Sequence, residues 1–288
     1  MTLDERINKD LSELYNGGVT PGEIKNAIEL DGLIKAKPGQ TSFATKALPG
    51  YYTGKRDAKT VMVMLNPGMC VCEANCRLMY DIGRYSMNNA ADVINYHKWC
   101  ADYGRKDKSR FDNFDVKQAF FFHKWDKIDI KLPEGLCAFL KSERKTLLEA
   151  KEAVLTQKLQ LELIPYASSS FIWVDKRMIP KVFPFVETLL NEIFSHERNY
   201  VVFCSSKFKD IFERYSRDSN YEGTIDVMKT YSQQIDGSNI QGSCDVVSIT
   251  YNNKAIKALI ANTFPNRALS NAYRLMEEYG VFCYEHYK

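Results

Sequence analysis

The chain has 288 residues, 45% of them hydrophobic and 12% aromatic, with a formal net charge of +3. That is enough apolar material for a sizeable core, and it excludes a disordered or fibrous chain. The mild basicity permits a nucleic-acid partner without requiring one.

The first ten residues, Met1 to Asp10, are polar and charged, so no secretory signal is expected there. No apolar run reaches the ~18 residues of a membrane span. The eight cysteines are Cys70, Cys72, Cys76, Cys100, Cys137, Cys204, Cys244 and Cys283. Without a secretory signal they do not read as a disulfide framework, and a cytoplasmic location follows as the expectation.

Leu3, Ile7, Leu11 and Leu14 have helical spacing, and Gly17-Gly18 closes that helix. Pro21 opens a second helix toward Ile34. Val61 to Leu65 is a short apolar run cut off by Asn66-Pro67-Gly68, which predicts a buried strand and an abrupt turn. A long mixed section, 69–158, follows, with helical periodicity from Leu147 through Ala153 to Leu159. Its aromatic stretch, Phe120 to Trp125, shows no clear alternation; it reads as core, or as a partner surface. Leu161 to Ile164 is the second predicted strand, stopped by Pro165. Phe183 to Phe194 predicts a helix, Tyr200 to Cys204 a third strand, and Ser205-Ser206 an N-cap for a helix through Phe208, Ile211 and Phe212. Cys244 to Tyr251 and Ala255 to Ala261 predict two strands joined by a tight turn at Asn252-Asn253. Leu269 to Tyr279 predicts a helix capped by Gly280, with Val281 to Tyr284 as a last strand.

Strands alternating with helices predict a three-layer α/β/α fold with a mostly parallel central sheet. The expected organisation is a single elaborated α/β domain over 1–288, with an N-terminal helical extension, 1–50, and a long insert, 69–158, after the first core strand. In such sheets ligands bind beyond the carboxyl ends of the strands. The segments to watch are therefore Asn66-Pro67-Gly68, Pro165-Tyr166 and the surroundings of Pro265-Asn266.

Those segments carry a resemblance. Met64-Leu-Asn-Pro-Gly68 resembles the first motif of the mismatch-specific uracil/thymine branch of the uracil-DNA glycosylase superfamily, with Met64 where that branch has glycine. Phe264-Pro-Asn-Arg-Ala-Leu-Ser270 resembles its second motif, matching at Pro265, Leu269 and Ser270 with one extra residue between. Leu161 to Tyr166 and Tyr200 to Cys204 resemble the second- and third-strand units, in the right order. The resemblance implies a divergent member with a uracil-DNA glycosylase-like fold. It implies hydrolysis of the N-glycosidic bond of a damaged or mismatched base, with Asn66 positioning the attacking water. Pro67, Gly68 and Met69 would shape the pocket, Tyr80, Tyr85 or Tyr166 would stack on the base, and Asn266 would join them. Arg267, Ser270 and Arg274 would contact DNA. The alternatives are an inactive member that binds nucleic acid or a nucleotide, and an interaction module with a vestigial pocket. Asn-Pro-Gly after a strand is also a good turn with no ligand at all.

No cofactor is expected: the chain has no Walker A motif and no dinucleotide-binding glycine pattern. Cys70, Cys72 and Cys76 lack the spacing of a zinc knuckle, so no metal is assigned to them. The four histidines, His97, His123, His196 and His286, form no metal-spaced pair.

Overall fold

The computed structural model of the chain describes residues 1–16, 18–34, 42–68, 76, 79, 81–103, 113–128, 132, 138, 141, 144–168, 178–217, 225–236, 241–261 and 272–286. Its centre is a seven-stranded sheet. In chain order the strands are β1 (Tyr52–Gly54), β2 (Thr60–Met64), β3 (Lys158–Glu162), β4 (Tyr200–Phe203), β5 (Ile225–Asp236), β6 (Gln241–Tyr251) and β7 (Lys254–Ala261). The helices are α1 (Leu3–Leu14), α2 (Lys25–Ile34), α3 (Ala90–Tyr103), α4 (Asn113–Lys124), α5 (Arg144–Gln157), α6 (Met178–Phe194), α7 (Lys207–Arg217) and α8 (Ala272–His286).

The spatial order of the strands is β1-β3-β2-β4-β7-β6-β5. β3, β2, β4 and β7 form a parallel centre. β1 and β6 run against it, and β5 runs with it. The chain leaves β2 toward one side to form β3, then crosses back over β2 to form β4. With right-handed crossovers this reversal puts intervening helices on opposite faces. α4 and α5 cover one face and α6 and α7 the other, while α3, also between β2 and β3, packs into the core of α6 and α7. The expected three layers are present.

Alternation along each strand feeds both faces. Val61, Val63, Leu159, Leu161, Val201 and Phe203 join one core with α1, α2, α6 and α7. Met62, Val202, Leu259 and Ala261 join the other with α4, α5 and α8. The N-terminal helices are thus built into the first core rather than appended to it. Phe120, Phe121, Phe122 and Trp125 lie in the second core, all under 4% exposed, so these rings are not a partner surface.

The β6–β7 hairpin follows its sequence signal. Asn252 and Asn253 take positive φ, 49° and 63°, as a two-residue turn between the paired Tyr251 and Lys254 requires. Two expectations are corrected. The periodicity assigned to a helix reaching Leu159 stops earlier, and Lys158 and Leu159 belong to β3. Gly280 does not cap a helix, and 281–284 is not a strand: α8 runs through to His286. A Cβ on Gly280 would meet the Phe121 carbonyl oxygen at 2.5 Å and the Lys124 Cβ at 2.8 Å. This glycine is there to let α8 approach α4 closely. β1 and β5, which the sequence reading omits, pair through the backbone at or near the sheet edges.

Candidate functional site

The winding reversal lies between β2 and β4, and an open α/β sheet offers its crevice at the carboxyl ends of such strands. The residues there are Leu65 to Gly68 after β2 and Cys204 to Ser206 after β4. The β3 extension, Leu163 to Ser168, lies alongside.

Asn66 sits directly after the central strand. Its Nδ2 donates to the Ser168 Oγ at 2.6 Å, the Pro67 carbonyl at 3.2 Å and the Tyr166 carbonyl at 3.3 Å. Two of these partners are backbone carbonyls, which only accept, so the amide can point only one way. Nδ2 is committed to the protein, and Oδ1 is the amide atom left to accept. Pro67 and Gly68 tie the β2 and β3 extensions together: the Ser168 N–H donates to the Pro67 carbonyl at 3.1 Å, and Gly68 bridges to Ser168. Ser205 caps α7, its Oγ accepting from the Lys207 N–H at 3.2 Å, as its sequence position predicts.

A second polar group lies one level below Asn66, on the face that α4 covers. Lys158, Gln160 and Glu162 alternate along β3 toward its carboxyl end. The buried Lys158 Nζ donates to the Gln118 Oε1 of α4 and, at 2.8 Å, to the Gln160 Oε1. The Gln160 Nε2 donates in turn to the Glu162 Oε1 at 2.7 Å, and the Gln118 Nε2 donates to the Gln160 Oε1 at 3.3 Å. The chain of bonds ends at Glu162, whose Oε2 is enclosed and has no partner. Burial pushes this carboxyl up to about 8, against the Gln160 hydrogen bond and the Lys158 charge, which pull it down. Burial likewise pushes the Cys204 thiol well up, with the Glu162 charge adding to it.

No family model, no curated protein and no solved structure matches this chain. The comparisons add nothing to the resemblance to uracil-DNA glycosylases.

Of the residues singled out from the sequence, Asn66, Pro67 and Gly68 come together with the β3 extension. Tyr166 contributes its carbonyl, not its ring. The side chain is 1% exposed, hydrogen-bonds to Asp10 Oδ2 at 2.7 Å, and packs edge-on against Phe43 and Phe185. This core position is a correction: the ring has no free face for a base. Asp10 also accepts from the Tyr51 hydroxyl, and burial raises its carboxyl. Tyr85 is exposed; its ring lies 4.9 Å from that of Tyr96, with the Arg84 guanidinium 5.5 Å from its centre. Arg274 is exposed on α8. Met69, Tyr80, Asn266, Arg267 and Ser270 lie outside the described residues, as do Cys70, Cys72 and Cys137. Among the described residues no group of histidine, cysteine and acidic side chains is arranged to hold a metal. Nor is any helix there long and apolar enough to cross a membrane.

The sequence reading missed Lys158, Gln160 and Glu162. The available signal was a polar residue at every second position of a strand with both faces covered. Starting the strand at Leu161 hid it.

Proposed function

We propose that this protein binds an extruded nucleobase at the carboxyl end of β2 and hydrolyses its N-glycosidic bond, in the manner of uracil-DNA glycosylases, with DNA as the partner. The observation that carries this reading is the orientation of Asn66. With Nδ2 held by three acceptors, Oδ1 is a preset acceptor beside the central strand. A carbonyl oxygen there takes one hydrogen of a water molecule and turns the water's lone pair toward the sugar carbon. The contribution is orientation, not strong proton abstraction, because an amide is a poor base.

The atoms balance simply. The sugar carbon–nitrogen bond breaks and its electron pair leaves with the base. The water oxygen bonds to the sugar carbon, and one water proton ends on the base. The base must first leave the duplex stack to reach Asn66. The exposed Tyr85, beside the tilted ring of Tyr96 and flanked by Arg84, is of the type that contacts unstacked bases and phosphates.

The test is base release from short duplexes carrying uracil or thymine opposite guanine. Wild-type protein should release base, and Asn66→Ala should lose release by roughly 100-fold or more while keeping its circular dichroism spectrum. No release by folded wild-type protein from either duplex would refute the hydrolase reading.

A further inference from the structure

We propose that Glu162 forms the floor of this site and donates a hydrogen bond from its Oε2 to an acceptor atom, a keto oxygen or an unprotonated ring nitrogen, on the edge of the bound base. The proposal deepens the reading of Asn66 given above and rests on it.

Placement comes first. Glu162 pairs in register with Met64, and the Cys204 N–H donates to the Val63 carbonyl at 2.8 Å. Glu162, Met64 and Cys204 therefore stand abreast at the carboxyl ends of β3, β2 and β4, on one side of the sheet. All three are half-buried, as is Gln160 behind Glu162, whereas Met62 and Val202 are fully enclosed. Asn66 lies two residues beyond Met64. With ~3.3 Å rise per residue and ~4.8 Å between strands, the Asn66 and Glu162 Cα atoms are about 8 Å apart. That separation suits one group at the sugar and another at the far edge of the same base.

Chemistry comes second. A carboxyl oxygen that is enclosed and unpartnered is costly, and a purely structural position would be filled by an apolar side chain. Here the other three polar groups are spent on one another. Lys158 and Gln118 hold Gln160, Gln160 holds the Glu162 Oε1, and only Oε2 is left unpaired. The groups around Glu162 are Lys158 and Gln160 on its own strand, Gln118 on α4, Met64 on β2, and Cys204 on β4 with Cys283 of α8 behind it. Burial keeps both thiols protonated at neutral pH. The carboxyl, pushed up to about 8, also keeps its proton. With Oε1 accepting from Gln160, the proton belongs on Oε2, where it is a donor. As the glycosidic bond breaks, electrons accumulate on the base, and a fixed donor at its far edge stabilises them.

Two measurements separate this proposal from the hydrolase reading. The first is carbon NMR titration of the Glu162 carboxyl in wild-type protein, with Glu162→Gln as the assignment control. A midpoint near 8 is expected, and one near the usual ~4.3 of a glutamate would overturn the proposal. The second is the pH profile of base release by wild type and Glu162→Gln. Wild-type release should fall about tenfold per pH unit above the midpoint. The glutamine variant, which donates at every pH, should lack that fall. Identical profiles would overturn the role of Glu162 while leaving the hydrolase reading intact. If wild-type protein releases no base, the hydrolase reading fails, and binding of free uracil followed by NMR replaces the rate. Wild-type binding should then weaken above pH 8 and the variant's should not; absence of that difference, or of binding, overturns the proposal.

Discussion

The two faces of the central sheet are built differently. On the face toward α1, α2, α6 and α7, every inward position of β2, β3 and β4 is apolar: Val61, Val63, Leu159, Leu161, Val201 and Phe203. On the face toward α4, α5 and α8, β2 and β4 contribute Met62, Val202 and Cys204, but β3 contributes Lys158, Gln160 and Glu162. One face is a structural core whose stability comes from area and fit. The other carries a hydrogen-bonded polar row that runs from a buried cation to an enclosed, unpaired carboxyl oxygen. Polar groups placed so deep are expensive unless paired, and all are paired except at the end where a ligand would sit. On the proposal above, the polar row marks the functional side of the molecule.

The largest effect should come from the apolar face. Phe203 is fully buried against Phe208 and Phe212, at ring-centre distances of 5.0 and 5.1 Å. Phe203→Ala should cost about 3–5 kcal/mol in urea unfolding. A cost under about 1 kcal/mol would mean this face is loosely packed.

On the polar face, Lys158→Met removes the cation and leaves the Gln118 Oε1 without its donor. The expected cost is about 1–3 kcal/mol by the same measurement. It should also raise the Glu162 titration midpoint further, because Lys158 is one of the groups holding it down. An unchanged midpoint would break the link between the two ends of the row.

Gly280→Ala tests the packing of α8 on α4. In an open helix interior this change stabilises by up to ~1 kcal/mol. Here the added Cβ meets the Phe121 carbonyl oxygen at 2.5 Å, so a loss of about 1–3 kcal/mol is expected, and the sign alone decides.

A pH dependence of stability tests the same carboxyl. Glu162 has a folded-state value near 8 against 4.5 unfolded. Between these values the unfolded chain has lost the proton and the folded chain keeps it, so stability falls as pH rises from about 4.5 to about 8 and is level above. Glu162→Gln removes that loss. Its melting temperature relative to wild type should therefore be higher at pH 8 than at pH 5, by on the order of 10 °C. An equal difference at both pH values would show that Glu162 ionises in the folded protein as it does unfolded.

The architecture was readable where local pattern and burial agree. β2 and β4 are apolar runs ended by turn residues, α7 follows its serine cap, and Asn252-Asn253 marks its hairpin. Asn66-Pro67-Gly68 stood out as an abrupt stop after a buried strand. Reading failed where two local rules compete. Gly280 has the composition of a cap, yet tertiary contact uses its missing Cβ and keeps it helical. Lys158 and Gln160 have the composition of a solvated helix end, yet pairing with β2 draws them into a strand.

By itself the sequence determined the alternation of strands and helices, because hydrophobic period and turn chemistry are local. It also determined the position of Asn66, because a short apolar run must end where polar turn residues begin. Only the tertiary structure decided that Tyr166 is core and that Asn66 is pinned by Nδ2. It also decided that Glu162 ends a buried row with one oxygen unpaired. Those facts depend on which segments meet across about 100 residues of chain, as between Asn66 and Ser168, and hydrogen-bond direction exists only once both partners are in place.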